Sequence, residues 1–237
     1  MQGILKAAIV VFIIFLGACS FPEQEITVFS FSYIFSDSDE GWTGDFADYP
    51  EGDSLGYALF YKHDTLPTNL NNNATLKALH ISGTNYSDDL FMFVKRKISG
   101  LRPNTTYQLM FNMKIASNAP TGTAGIGGAP GESVYLKAGA SLAEPKKELQ
   151  SGMYRLNVDK GNQEEEGIDM INIGHIGVSA NTTAYTIITR NNNSSNEFLI
   201  TTDASGEIWL IVGTDSGFEG STSLYYTQID VFLNQMD

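Results

Sequence analysis

Carboxylates, amides and aromatics crowd a few loops of this chain, and each cluster suggests a chemistry. The segment from Asp37 to Asp53 carries seven acidic residues with Trp42, Phe46 and Tyr49 set among them. Hard oxygen ligands this close together on a loop suit Ca²⁺. Asp37-Ser38-Asp39-Glu40-Gly41 opens like an EF-hand loop and then breaks its spacing, with no helical pattern on either side, so an EF-hand is excluded. Trp42 and Tyr49 suit a sugar-stacking platform, because an aromatic face pairs with the C–H face of a pyranose; the other reading anchors the loop in the core. Asn85, Ser87, Asp88 and Asp89 form a second cluster, suited to sugar hydroxyls or to Asx turns within the loop. In the third, Gly213 to Gly220, Asp215 and Glu219 are candidates for the carboxylate pair of a glycosidase or for a loop-fixing role.

Other chemistries drop out. Gly122 to Glu132 is glycine-rich but lacks the Gly-Lys-Ser/Thr ending of a phosphate loop and precedes a strand pattern, so it reads as a tight crossing. His63, His80 and His175 form no H-E-x-x-H and lie near no cysteine, which argues against zinc. There is no Gly-x-Ser-x-Gly elbow. A formal charge of −13 and the lack of a basic stripe argue against nucleic acid as a partner.

The elements that must position these loops are strands. Tyr107, Leu109, Phe111, Met113 and Ile115 alternate with polar residues, as do Tyr225, Thr227, Ile229, Val231 and Leu233. Glu207 to Gly213 is apolar on both faces and predicts a central strand. Eight further runs, beginning near residues 27, 57, 76, 90, 133, 168, 185 and 198, are rich in β-branched and aromatic residues. Turn residues fill the gaps at 100–104, 191–196 and 203–206. No repeat or Pro/Ser-rich linker divides the chain, which predicts one all-β domain over 27–237.

The amino terminus carries a different signal. Lys6, an apolar run from Ala7 and the small residues of Leu16-Gly17-Ala18-Cys19 describe an export signal, with an apolar run too short to span a bilayer. This cut site resembles the lipobox of bacterial lipoproteins. The resemblance implies a signal peptide over 1–18, a lipidated Cys19, a tether over 19–26 and a membrane-anchored envelope protein. Ser20 after the cysteine implies outer-membrane delivery. Cys19 is the sole cysteine, so the core must hold without internal disulfides.

Residues 88–115, a strand followed by Gly-Leu-Arg-Pro-Asn-Thr-Thr-Tyr and a long alternating strand, resemble the core of galactose-binding-like jelly rolls and many carbohydrate-binding modules. That resemblance implies a jelly-roll antiparallel β-sandwich with glycan as its ligand. Such modules hold a structural Ca²⁺ near their first and last strands, which singles out Asp39, Glu40 and Asp230. A non-catalytic glycan-recognition domain is the first expectation. A glycoside hydrolase or lyase and a partner-binding envelope subunit are the alternatives.

Overall fold

A computed structural model describes residues 28–72, 75–192 and 196–236. The lipobox and Cys19 lie outside the described residues. Fifteen strands run in order: β1 Val28–Ile34, β2 Thr43–Ala47, β3 Tyr49–Pro50, β4 Phe60–Thr65, β5 Lys77–Thr84, β6 Leu90–Ile98, β7 Thr106–Ser117, β8 Val134–Ser141, β9 Lys147–Gln150, β10 Met153–Leu156, β11 Met170–His175, β12 Thr186–Asn191, β13 Phe198–Thr201, β14 Ile208–Ser216 and β15 Ser221–Gln235.

They form an all-β sandwich of jelly-roll type. One sheet has the order β12-β7-β15-β5-β4, with β1 and β13 pairing alongside β15 and β7. The other has the order β11-β8-β14-β6-β2, and β3-β10-β9 form a small third sheet. All strand pairs are antiparallel.

The main core lies between the two large sheets. β7 contributes Tyr107, Leu109, Phe111, Met113 and Ile115, all buried as their alternation requires. The opposite sheet answers with Leu90, Met92, Val94, Leu136, Ala138, Leu210 and Val212. A second, smaller core lies on the outer face of the five-stranded sheet. There Ala47, Phe91, Phe93, Met170 and Ile211 pack under Val158 and Leu156. The segment after β8 therefore acts as a cover, built from the β9–β10 hairpin and the loop 157–169. The sequence reading missed β2, β3, β9 and β10. They are short and lack strong alternation; β9 is ordered by pairing with β10, which in turn pairs with β3 and sets Leu156 on this face.

β15 departs from the expected alternation. Its register against β7 slips between Tyr226 and Gln228, a bulge that leaves Thr227 unpaired. Leu224 and Tyr226 face the core before the bulge, and Ile229, Val231 and Leu233 face it afterwards. Tyr225 thus lies on the outer face, not in line with Ile229 as simple alternation has it.

A second repair lies on the far side of β7. β12 pairs with β7 as far as Asn112, and β13 resumes pairing at Leu109. The Asn192 side chain fills the gap like a peptide group: its Oδ1 accepts from Phe111 N at 2.7 Å and its Nδ2 donates to Leu109 O at 3.0 Å. Replacing Asn192 with Ala strands both backbone groups, at a cost of about 1–3 kcal/mol. Urea unfolding, together with faster amide exchange at Phe111, checks this.

Candidate functional site

The expected sugar platform is not where the sequence put it. Trp42 is 1% exposed and Tyr49 is 2% exposed. Trp42 meets Tyr33 and Phe35 edge-on, with ring centroids 5.5 and 6.3 Å away. Tyr49 is enclosed by Tyr57 and Tyr154, and its hydroxyl accepts from Lys147 at 3.0 Å. Both rings anchor the acidic loop from inside, so neither offers a face to a ligand.

Asn85 is also buried, and its amide pins two loops together. Its Nδ2 donates to Ser216 O and Phe218 O, while its Oδ1 accepts from the backbone of Ser87, Asp89 and Leu90. Asp88 is exposed, at a positive φ of 60°. Its carbonyl accepts from Gln163 Nε2. The glycine-rich crossing packs against the same region. A Cβ on Gly127, at φ +70°, would strike the carbonyl oxygen of Gly217.

The calcium ligands are not assembled. Among the described residues no three His, Cys, Asp or Glu side chains stand together in a way that could hold a metal ion. Asp230 is instead bonded to Ser32, Asn112 and Gln228 on the outer face of the seven-stranded sheet. Asp39 and Glu40 make bonds within their own loop.

Asp215 and Asp89 come together in a way the sequence did not suggest. Asp215 lies on the outer face of β14, beneath the cover, with no side-chain exposure. Its Oδ2 is 2.7 Å from Lys160 Nζ and 3.8 Å from Lys137 Nζ, and accepts from Gln163 N at 2.9 Å. Lys160 also faces Asp48 at 3.4 Å and Asp89 at 3.7 Å. Arg155 closes the network with bonds of 2.9 Å to Asp48 and 2.8 Å to Asp89. Burial raises the Asp215 carboxyl, and Lys160 pulls it back. Burial opposes the charge on Lys160, but its three carboxylates outweigh it and hold the lysine protonated. Lys137, capped by the carbonyls of Lys160 and Glu165, is pulled down by burial to about 8. A cavity of about 360 Å³ opens beside this network, lined by Asp48, Asp89, Gln150, Arg155 and Asn162 among others. Asp48 and Asp89 there are tied to Arg155 and Lys160, Asp159 accepts from the backbone N–H groups of Gly161 and Ile168, and Asp215 is closed to solvent. Glu219 lies in the surface loop, its backbone N–H bonded to Ile126 O. Asp215 is thus an internal ion-pair partner and not one half of a glycosidase pair.

Tyr86, 64% exposed, stands alone in the loop after β5, edge-on to Tyr57, whereas a contiguous set of aromatic groups lies on the outer face of the other sheet. Phe60 on β4 is 40% exposed and packs on His80 of β5, centroids 5.0 Å apart. His80 stacks on Tyr225 of β15 at 4.1 Å, with ring planes 13° apart. Tyr185, just before β12, meets Tyr225 edge-on at 5.3 Å. The strand registers place His80 opposite Lys62 and Tyr225, and Phe60 opposite Ser82. Ser223 accepts from Tyr185 Oη at 3.1 Å and lies 2.9 Å from His80 Nε2. It also lines a pocket of about 160 Å³ with Asn118, Pro120 and Ser221. Rings, hydroxyls and an amide thus share one patch. The β15 bulge hid it from the sequence, along with the placement of four aromatic residues in four separate segments.

Burial lowers the His80 imidazole below its ordinary 6.5, against a weaker opposing pull from Asp64. The unfolded chain therefore takes the proton first. The contribution of neutral His80 to stability is present above the unfolded value and is lost as pH falls through it toward the folded value. His80→Phe is expected to flatten this acid limb, which urea midpoints at about pH 7.5 and about pH 5 check.

No protein-family model matches the chain, and no curated protein matches it. Solved structures resemble it distantly. A putative sugar-binding protein from Bacteroides thetaiotaomicron is 12% identical, with a TM-score of 0.37 over 81% of this chain and 88% of that one. A carbohydrate-binding module that recognises mannan is 11% identical, with a TM-score of 0.36 over 88% and 98%. The enzymatically active domain of a tailspike protein from bacteriophage CBA120 is 10% identical, with a TM-score of 0.32; it overlaps 79% of this chain, which spans only 19% of it. Likenesses this distant do not carry a ligand or an activity across to this chain.

Proposed function

We propose that this protein is a non-catalytic recognition module of the cell envelope that binds glycan on the array Phe60–His80–Tyr225–Tyr185. The observation that supports this is the array itself: four rings in unbroken contact across the outer sheet face, one of them well exposed, beside the hydroxyls of Ser82 and Ser223. Pyranose C–H faces pack on such rings, and neighbouring hydroxyls and amides read the sugar's own hydroxyls. Cys19, lipidated after signal cleavage, holds the domain to the membrane, by outer-membrane delivery on the lipobox reading.

Binding of the purified protein to a panel of polysaccharides tests the site. Phe60→Ala and Tyr225→Ala are each expected to weaken binding roughly tenfold, the equivalent of one lost stacking contact. Binding that survives both substitutions, or a blank panel, rejects the reading. Anchoring is tested separately: Cys19→Ser should shift the protein from the membrane fraction to the soluble fraction.

A further inference from the structure

The buried charge network under the cover is more than a latch. Lys160 and Asp215 belong to different layers, one in the cover loop and the other on β14, and they touch at 2.7 Å beneath the cover, where the Asp215 side chain is closed to solvent. Their side chains are 9% and 0% exposed. Holding two charges out of water costs several kcal/mol per ion before their attraction is counted. A neutral product removes both.

We propose that Lys160 and Asp215 condense into a side-chain amide, a covalent staple between the cover and the sheet. The surrounding groups fit each stage of that step. Asp48 and Asp89 stand 3.4 and 3.7 Å from Lys160 Nζ, through Oδ2 and Oδ1, neither of which has a hydrogen-bond donor in the structure. Either can take the ammonium proton and leave the amine lone pair free. The amine then attacks Asp215 Cγ, forming the N–C bond. Negative charge collects on Asp215 Oδ2, where the Gln163 N–H and the Lys137 ammonium already converge from 2.9 and 3.8 Å. Asp215 Oδ1, buried and without a partner, accepts the proton held by Asp48 or Asp89 and, with the second proton lost by nitrogen, leaves as water. No oxidant, metal or cofactor is needed. The amide oxygen keeps its two donors, the amide N–H faces the acceptors Asp48 and Asp89, and the remaining charges balance: Asp48 and Asp89 against Arg155 and Lys137. Protonation of Lys160 makes the step slow, but it has to happen only once per molecule. Contact held inside a fold supplies the effective concentration.

The experiment is a tryptic map of the full-length, denatured wild-type protein by mass spectrometry. Acylated Lys160 resists trypsin, so the amide joins Leu156–Arg190 to Asn191–Asp237 in one branched peptide, lighter than the two together by one water. Lys160→Arg should abolish that species. Asp215→Asn should still form it, now with loss of ammonia. Asp48→Asn together with Asp89→Asn should slow its appearance at least tenfold after refolding, with the β-sheet circular dichroism retained. Finding free Leu156–Lys160, Gly161–Arg190 and Asn191–Asp237 at full mass in the wild type overturns the proposal. So does a water loss confined to a single linear peptide, which marks a succinimide. The wild-type map depends on no variant's folding and on no glycan, so its outcome is independent of the array.

Discussion

Asp215→Ala is expected to be among the most damaging single changes in this protein, lowering unfolding free energy by about 3–5 kcal/mol. The carboxyl is wholly enclosed and faces two lysines, whose side chains are 9% and 0% exposed. Removing it leaves buried positive charge without its nearest partner, and an uncompensated buried charge costs more than the intact pair contributes. The loss should fall on the cover first. Gln163 loses its acceptor, Lys160 keeps the longer contacts to Asp48, Asp89 and the Gly161 carbonyl, and the loop 157–169 loosens over Phe91 and Met170. Urea unfolding gives the magnitude, and limited proteolysis should place the first cuts between residues 157 and 169. The double variant Asp215→Leu with Lys160→Met should recover part of the loss, since it removes both charges and replaces them with apolar volume. A neutral result for Asp215→Ala would mean that the network is solvated, contrary to the enclosure described above.

Trp42→Ala is the second large effect, also about 3–5 kcal/mol, the cost of emptying a large aromatic site in a packed core. Trp42 is held between Tyr33 and Phe35, and the Arg96 guanidinium lies over the Tyr33 ring at 4.5 Å. Little of this cluster can collapse into the space, because its members belong to β1 and to the loop that follows it. A sugar-platform role for Trp42 makes the opposite prediction: lost binding with stability kept. The expected result is a lower urea midpoint, with glycan affinity per folded molecule unchanged. Measuring both quantities on one preparation separates the two roles.

The strands were largely legible and the surface was not, for one physical reason. Period-two alternation records which face is buried, so β7 could be read residue by residue. It records nothing about a bulge, and the slip at Thr227 moved Tyr225 to the outer face. Nor does it record a short strand whose order comes from a neighbour, as with β9 paired to β10. In the loops, the chemistry of a residue was legible but its burial was not. Trp42, Tyr49 and Asn85 are residue types that bind sugars, and here each holds a loop from within. Asp89 reads as a sugar ligand and Asp215 as a catalytic carboxylate, yet both sit in one ion-pair network, because their partners Lys137, Arg155 and Lys160 carry no motif. Only the fold brings them together.

The pairing of β1 with β15 has a geometric consequence for presentation. Val28, where the described chain begins, pairs with Asn234 near the end of β15. Tyr225 lies nine residues earlier on the same strand. At about 3.4 Å per residue, that places the aromatic rings about 30 Å along the sheet from the Val28 end. Were Cys19 the anchor, as proposed above, the sheet would work as a boom: attachment at one end, contact surface toward the other. The eight residues between Cys19 and Val28 would then set how far the boom stood off the bilayer, and the sheet where its tip looked.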